Sequence, residues 1–270
     1  NIMRYLSDIS KKNILFIEID TRPVGHFVDL DDLPKSLWTL SPSDFNSSAG
    51  FFPEFSYIKS ICIGKITDEG VKTFLFDGDE KELLAKFCRA LEAIYAKNLS
   101  TLLCGYKLKQ FTIPYLLKKC IVNRVTPPVL IDVVGKKPWE VLHIDLFEIW
   151  QNIGYYGSRI SNVLFATGLS TPKGIEDPRN REESYSKDML QTIINLMLLM
   201  RNEDIIDFSL SQEEEEEIKP AGLLEQLYAQ KGEITEEQQE RLKELMSTLD
   251  KEEQKIANEI LKSIKKTRKK

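Results

Sequence analysis

Two acids spaced i and i+2 within a short apolar run, Ile17-Glu18-Ile19-Asp20, are the residues best placed to do chemistry. On a strand such positions share a face, so both carboxylates point the same way. Convergent carboxylates are hard oxygen donors of the kind Mg²⁺ prefers. Two such ions about 4 Å apart are what phosphodiester hydrolysis uses, one activating water and the other stabilising the leaving oxygen. The competing reading is two acids at the exposed end of a strand. Against it stand the apolar flanks, because burying an unpaired charge is expensive.

The elements around the pair follow from hydrophobic periodicity. Ile14–Ile19 is β-branched and apolar and stops at Thr-Arg-Pro, which predicts a buried strand. Residues 21–54 carry Pro, Asp, Ser and Gly with little periodicity and read as a long surface excursion. Tyr57–Ile66 and Val71–Phe76, separated by Thr-Asp-Glu-Gly, read as a hairpin. Leu83, Leu84, Phe87, Leu91 and Ile94 recur at helical spacing, giving a helix from Asp79 to about Lys97. A short strand at Thr101–Cys104 precedes a helix that starts near Pro114 and runs to about Val122. Leu142–Ile144 reads as a strand end leading into a helix with Phe147 and Trp150; Ser158–Leu169 and Tyr185–Arg201 read as further helices. A hairpin followed by alternating strands and helices predicts an α/β domain with a mixed sheet flanked by helices.

That domain spans residues 1–212, residues 213–219 form an acidic linker, and residues 220–270 form a helical C-terminal extension with a basic tail. Its helices fall around 221–230, 235–247 and 250–266, with Thr235 and Gln238 spaced as a capping box.

With 42% hydrophobic residues over 270 positions, a sizeable core is affordable. No run of about 18 apolar residues predicts a membrane span, and no secretory signal is read at the start, so a cytoplasmic location is expected. Four scattered cysteines, Cys62, Cys88, Cys104 and Cys120, read as buried thiols, and two distant histidines argue against zinc. The net charge of −5 does not favour nucleic acid by bulk electrostatics, although six of the last nine residues are Lys or Arg. A local basic groove still binds a phosphate backbone. No Gly-rich phosphate loop and no nucleophile elbow is present.

The segments LFIEIDTRP, AGFFPEFSYIKSICIGKI, LLCGYKLKQFTIPYLLKKCIVN, GKKPWEVLHIDLFEIW, STPKGI and YSKDMLQTIINLMLLMR occur in order over roughly residues 13–205. In these the chain resembles the bacterial and phage 3′–5′ exonucleases related to the exonuclease domain of family-B DNA polymerases, of the DEDD superfamily. The resemblance implies a ribonuclease-H-like fold and a requirement for Mg²⁺ or Mn²⁺. It also implies removal of nucleotides from single-stranded 3′ ends of DNA. Glu18, Asp20 and Asp188 would hold metal, with Tyr185 beside them. Tyr106, Lys107, Phe111 and Thr112 would face the nucleic acid.

The same motifs depart from the family where the chemistry lies. The family's Asp-x-Glu is here Glu18-Ile19-Asp20, which moves both carboxylates by about one methylene, enough to disturb octahedral geometry. Its Phe-Asp is Phe111-Thr112, and Thr112 is expected to cap the helix that Pro114 opens. Lys107 replaces an Asn, either as a phosphate contact or as a solvated loop residue. Tyr185 precedes Asp188 by three positions instead of four, with Ser184 in the expected place, a rotation of about 100°. The connector Gly174–Glu183 is shorter than the family's. Each 1.36 kcal/mol lost from a transition state is tenfold in rate. Hydrolysis is therefore expected to be weak or lost. The alternative is an inactive nuclease-fold protein that binds nucleic-acid ends, or a protein partner through its C-terminal helices. Lys107, Lys109, Lys118 and Lys119 would line its backbone-binding surface, with Lys265–Lys270 as a salt-sensitive contact. His143, Asp145 and Glu148, the acids three apart on a helix, read as structural.

Overall fold

The computed structural model describes residues 6–24, 49–137, 140–153 and 159–208. The expected linker, C-terminal helices and basic tail, most of the 21–54 excursion, and the Pro138-Trp139 pair lie outside them. The chain divides into two compact units, Asn1–Cys88 with Ser100–Glu216, and Arg89–Leu99 with Glu217–Lys270.

The first unit is built on a five-stranded mixed sheet with order β3-β2-β1-β4-β5. Its strands are β1 (Ile14–Pro23), β2 (Ser56–Thr67), β3 (Gly70–Asp77), β4 (Leu102–Gly105) and β5 (Ile144–Asp145). β1 runs antiparallel to β2 and parallel to β4, β2 is antiparallel to β3, and β4 is parallel to β5. The near-continuous burial of Ile14 to Thr21 suits a central strand covered on both faces. β1 extends four residues beyond the run that predicted it, because a bulge between Asp20 and Thr21 lets pairing with β2 continue to Pro23.

The helices are α1 (Glu80–Lys97), α2 (Ile113–Asn123), α3 (Leu146–Ile153), α4 (Ile160–Thr167) and α5 (Tyr185–Met200). α1 starts where Asp79 Oδ1 accepts the Lys81 and Glu82 N–H groups, and Glu80 and Glu82 complement its N-terminal dipole. α5 packs across β1 and β2. The approach is close: a Cβ added at Gly64 of β2 would lie 2.8 Å from Leu190 Cδ2. Ile14 and Phe16 join Met189, Leu190, Ile193 and Met197 in that core. By alternation Leu15, Ile17 and Ile19 serve the other face, so Glu18 and Asp20 belong to the α5 side.

A buried polar knot ties the first turn of α1 to α2 and β2. Lys119 Nζ lies 3.2 Å from Glu80 Oε1 with only 4% of its side chain exposed, and it donates to the Ser56 carbonyl. Glu80 accepts the Ile58 N–H at 2.7 Å and the Asn123 amide at 3.1 Å. Lys119 is thus a core residue and not part of a surface. Cys62, Cys88, Cys104 and Cys120 are all buried, with the sulfurs of Cys88 and Cys120 3.9 Å apart. No helix among the described residues is long and apolar enough to cross a membrane.

Removing one partner of a buried ion pair strands the other. Lys119→Ala is expected to lower unfolding free energy by about 3 kcal/mol in urea denaturation. A loss under about 1 kcal/mol, the size expected of an exposed pair, would show that Glu80 finds water instead.

Candidate active site

The parallel strands β1, β4 and β5 end on one side of the sheet, which brings Asp20, Gly105 and Asp145 to a common edge. In α/β sheets this is where ligand-binding groups collect. Gly105 is held close to β1: a Cβ there would sit 3.2 Å from the Ile17 carbonyl.

Asp20 is 2% exposed and both its oxygens are taken. Oδ2 accepts Arg22 Nε at 2.8 Å and lies 2.7 Å from Arg22 Nη2. Oδ1 accepts Arg181 Nη1 at 2.7 Å. The guanidiniums are anchored in turn. Arg22 donates to the carbonyls of Pro178 (2.8 Å) and Arg181 (3.3 Å). Arg181 donates to Thr21 (3.2 Å) and Gly174 (3.1 Å). Arg181 also stacks 4.2 Å over the Tyr185 ring. Charge-assisted hydrogen bonds of this kind to a desolvated carboxylate are strong contacts.

Glu18 shares this cluster without an ion pair or hydrogen bond to any described residue. Burial pushes its carboxyl up to about 8; Arg181 pulls it down and Asp20 pushes it further up. The Tyr185 phenol, 5% exposed, is raised chiefly by burial, with Arg181 lowering it and Glu18 and Asp20 raising it. Tyr185 therefore stands with the two acids.

Asp188 faces elsewhere. Its Oδ2 accepts Ser184 Oγ at 2.8 Å, and it lines a cleft of about 660 Å³ with Lys173, Glu182, Gln191 and Asn195. One turn along α5 from Tyr185 the position is Met189, 2% exposed in the core. Asp188 lies a helical step of about 100° off that stripe.

The second motif forms a π-helical turn, Leu108–Thr112, running into α2. Such single turns recur at functional sites. Thr112 has helical backbone angles and makes no capping hydrogen bond, so the expected cap is not formed. The π turn already carries the helical hydrogen bonds through it, with the Phe111 and Thr112 N–H groups both donating to the Lys107 carbonyl. Lys107 adopts φ 54°, a left-handed position that Asn tolerates better. Its exposed ammonium lies 5.0 Å over Phe147. Tyr106 packs edge-on to Phe147 at 5.6 Å, and burial, with the Asp145 charge, raises its phenol to about 12. Phe111 packs edge-on to Phe51 at 6.0 Å, and Phe51 is 60% exposed.

His143 and Asp145 are struts. His143 Nδ1 accepts the Leu103 N–H, and Nε2 lies 2.7 Å from the Leu130 carbonyl. Asp145 ends β5, one residue before the helix on which it was expected, and accepts the N–H groups of Lys109 and Phe147. Lys109 and Lys118 are paired with Glu148 and Glu54. Of the expected basic surface, Lys107 alone carries no carboxylate contact among the described residues.

Two divalent ions require several carboxylate oxygens turned to one point. Here both Asp20 oxygens accept from guanidiniums, position 112 carries a hydroxyl, and Asp188 is bonded to Ser184 in a cleft that Tyr185 also lines. No group of three or more His, Cys, Asp or Glu residues able to hold a metal occurs among the described residues. As arranged, the donors do not fit a two-ion centre. Arg22 is visible in the sequence, two positions from Asp20 on the same strand. Arg181 had no such signal, sitting in what read as a polar connector. No protein-family model and no curated protein matches the chain.

Between 4.5 and about 8 the folded state keeps the Glu18 proton that the unfolded chain releases. Stability from this group is full below that window, falls across it, and is flat above. Relative to Glu18→Gln, the wild type is expected to lose up to about 1 kcal/mol per pH unit there, measured by urea unfolding. Parallel pH profiles for the two proteins would contradict the raised Glu18 carboxyl.

Proposed function

We propose that the chain is a ribonuclease-H-like relative of the DEDD 3′–5′ exonucleases in which metal-dependent hydrolysis is weak or lost and binding remains. Its ligand would be a single-stranded 3′ end of DNA. The reading is supported by the sheet order, with β1 central, β2 reversed, and β4 and β5 parallel to β1. It is also supported by the place of LFIEIDTRP on that central strand. The observation that carries it is the pair of guanidiniums on Asp20. A carboxylate flanked by two guanidiniums already has its charge met and presents positive charge to Mg²⁺ or Mn²⁺, and these ions enter the proposal only as probes.

Binding is favoured over mere structure by the exposed Phe51, which packs on Phe111. Aromatic faces stack on bases irrespective of sequence, each worth about 1–3 kcal/mol. A protein partner held by residues 220–270 is the second reading, motivated by their amphipathic pattern, and a cytoplasmic location belongs to the same proposal.

With 5′-labelled single-stranded DNA and Mn²⁺, no shortening is expected from wild type or from Thr112→Asp. Fluorescence anisotropy in EDTA is expected to show salt-sensitive binding, weakened roughly tenfold by Phe51→Ala. Mn²⁺-dependent shortening that Asp20→Asn abolishes would establish hydrolysis instead. Neither cleavage nor binding would leave the protein-partner reading.

A further inference from the structure

We propose that Gly174–Arg181 is a strap whose Arg181, together with Arg22 of β1, permanently supplies to Asp20 the positive charge that a bound cation would supply. The fold then holds its buried carboxylate without metal.

The strap is a built structure. Gly174 has φ +76, and a Cβ there would fall 2.5 Å from the Arg181 backbone nitrogen, so the loop closes only on glycine. Arg181 Nε closes it from within by donating to the Gly174 carbonyl. Arg22 holds it from outside through the carbonyls of Pro178 and Arg181. The Tyr185 ring, the first residue of α5, supports the guanidinium from below. An exposed Lys173–Glu182 pair at 2.8 Å spans the loop's ends.

The buried contacts that seat the strap on β1 all come from Arg22 and Arg181, the two arginines that neutralise Asp20. A cation could reach Asp20 only by displacing both guanidiniums, and with them the carbonyl contacts that fold the loop. Arginine stays charged at any ordinary pH, so the compensation cannot be lost by titration of its donors. The closed loop and the neutralised Asp20 are thus one feature. The proposal rests on the reading above only in taking Glu18 and Asp20 as a pair able to hold a divalent ion once released.

The test is thermal unfolding in EDTA and in about 1 mM Mn²⁺, for wild type and for Arg22→Met with Arg181→Met, which keep bulk and remove charge. Wild type is expected to unfold at the same temperature in both. The double variant is expected to unfold roughly 10 °C lower in EDTA and to recover in Mn²⁺, with recovery abolished by adding Asp20→Asn. Stabilisation of wild type by Mn²⁺, or a variant that Mn²⁺ does not rescue, would overturn the strap as a cation substitute.

Should the double variant not fold, the pair Arg181→Met and Asp20→Asn decides. Their combined loss is expected to be smaller than the sum of the single losses, because removing the carboxylate removes the need for the guanidinium; additive losses would overturn the proposal. DNA degradation and DNA binding are not read in either arm, so failure of the nuclease reading leaves a distinct signature.

Discussion

A carboxylate at 2% exposure is unstable in a folded protein unless opposite charge meets it. Asp20 is met by two guanidiniums, one from its own strand and one from 161 residues away in sequence. That contact fixes the end of β1 and folds the 174–181 loop. It also places the Arg181 plane on Tyr185 and leaves Glu18 as the acid in the cluster without a counter-charge of its own. The raised Glu18 carboxyl follows directly: the cluster's positive charge is engaged by Asp20, and burial disfavours a second anion.

The arrangement separates two properties that a two-metal nuclease combines. The framework places strand ends, a left-handed Lys107 and a π turn at one edge of the sheet. The charge on Asp20 is met by side chains, Arg22 and Arg181. A guanidinium offers fixed, planar hydrogen bonds and one positive charge; a divalent ion offers open coordination positions and polarises water. On the proposed reading, a guanidinium in place of an ion keeps the carboxylate buried without supplying a means of activating a nucleophile.

How much of this was legible in the sequence can be argued residue by residue. Ile14 to Ile19 announced a buried strand by composition, which the burial pattern bears out, and Glu18 and Asp20, expected on one face by alternation, both lie within the influence of Arg181. The hairpin and the helices at Glu80, Ile113 and Tyr185 followed from periodicity. The rotational setting of α5 was present too: Met189 and Ile193 are buried, Asp188, Gln191 and Asn195 line a cleft, and Tyr185 is buried at its border. The apolar stripe, and not spacing from a motif acid, decides which residue meets the sheet. Arg181 was illegible because a lone arginine in a polar connector carries no local pattern. Its role exists only after the chain has folded back on β1. The buried Lys119 was hidden for the same reason, since its partner Glu80 sits on another helix.

The most direct measurement of the central claim is the anomalous scattering of Mn²⁺ in crystals of the protein. The account predicts no manganese at Asp20, with the Arg22 and Arg181 forks in place on its oxygens. Manganese coordinated by Glu18 and Asp20, with both arginines swung away, would contradict it.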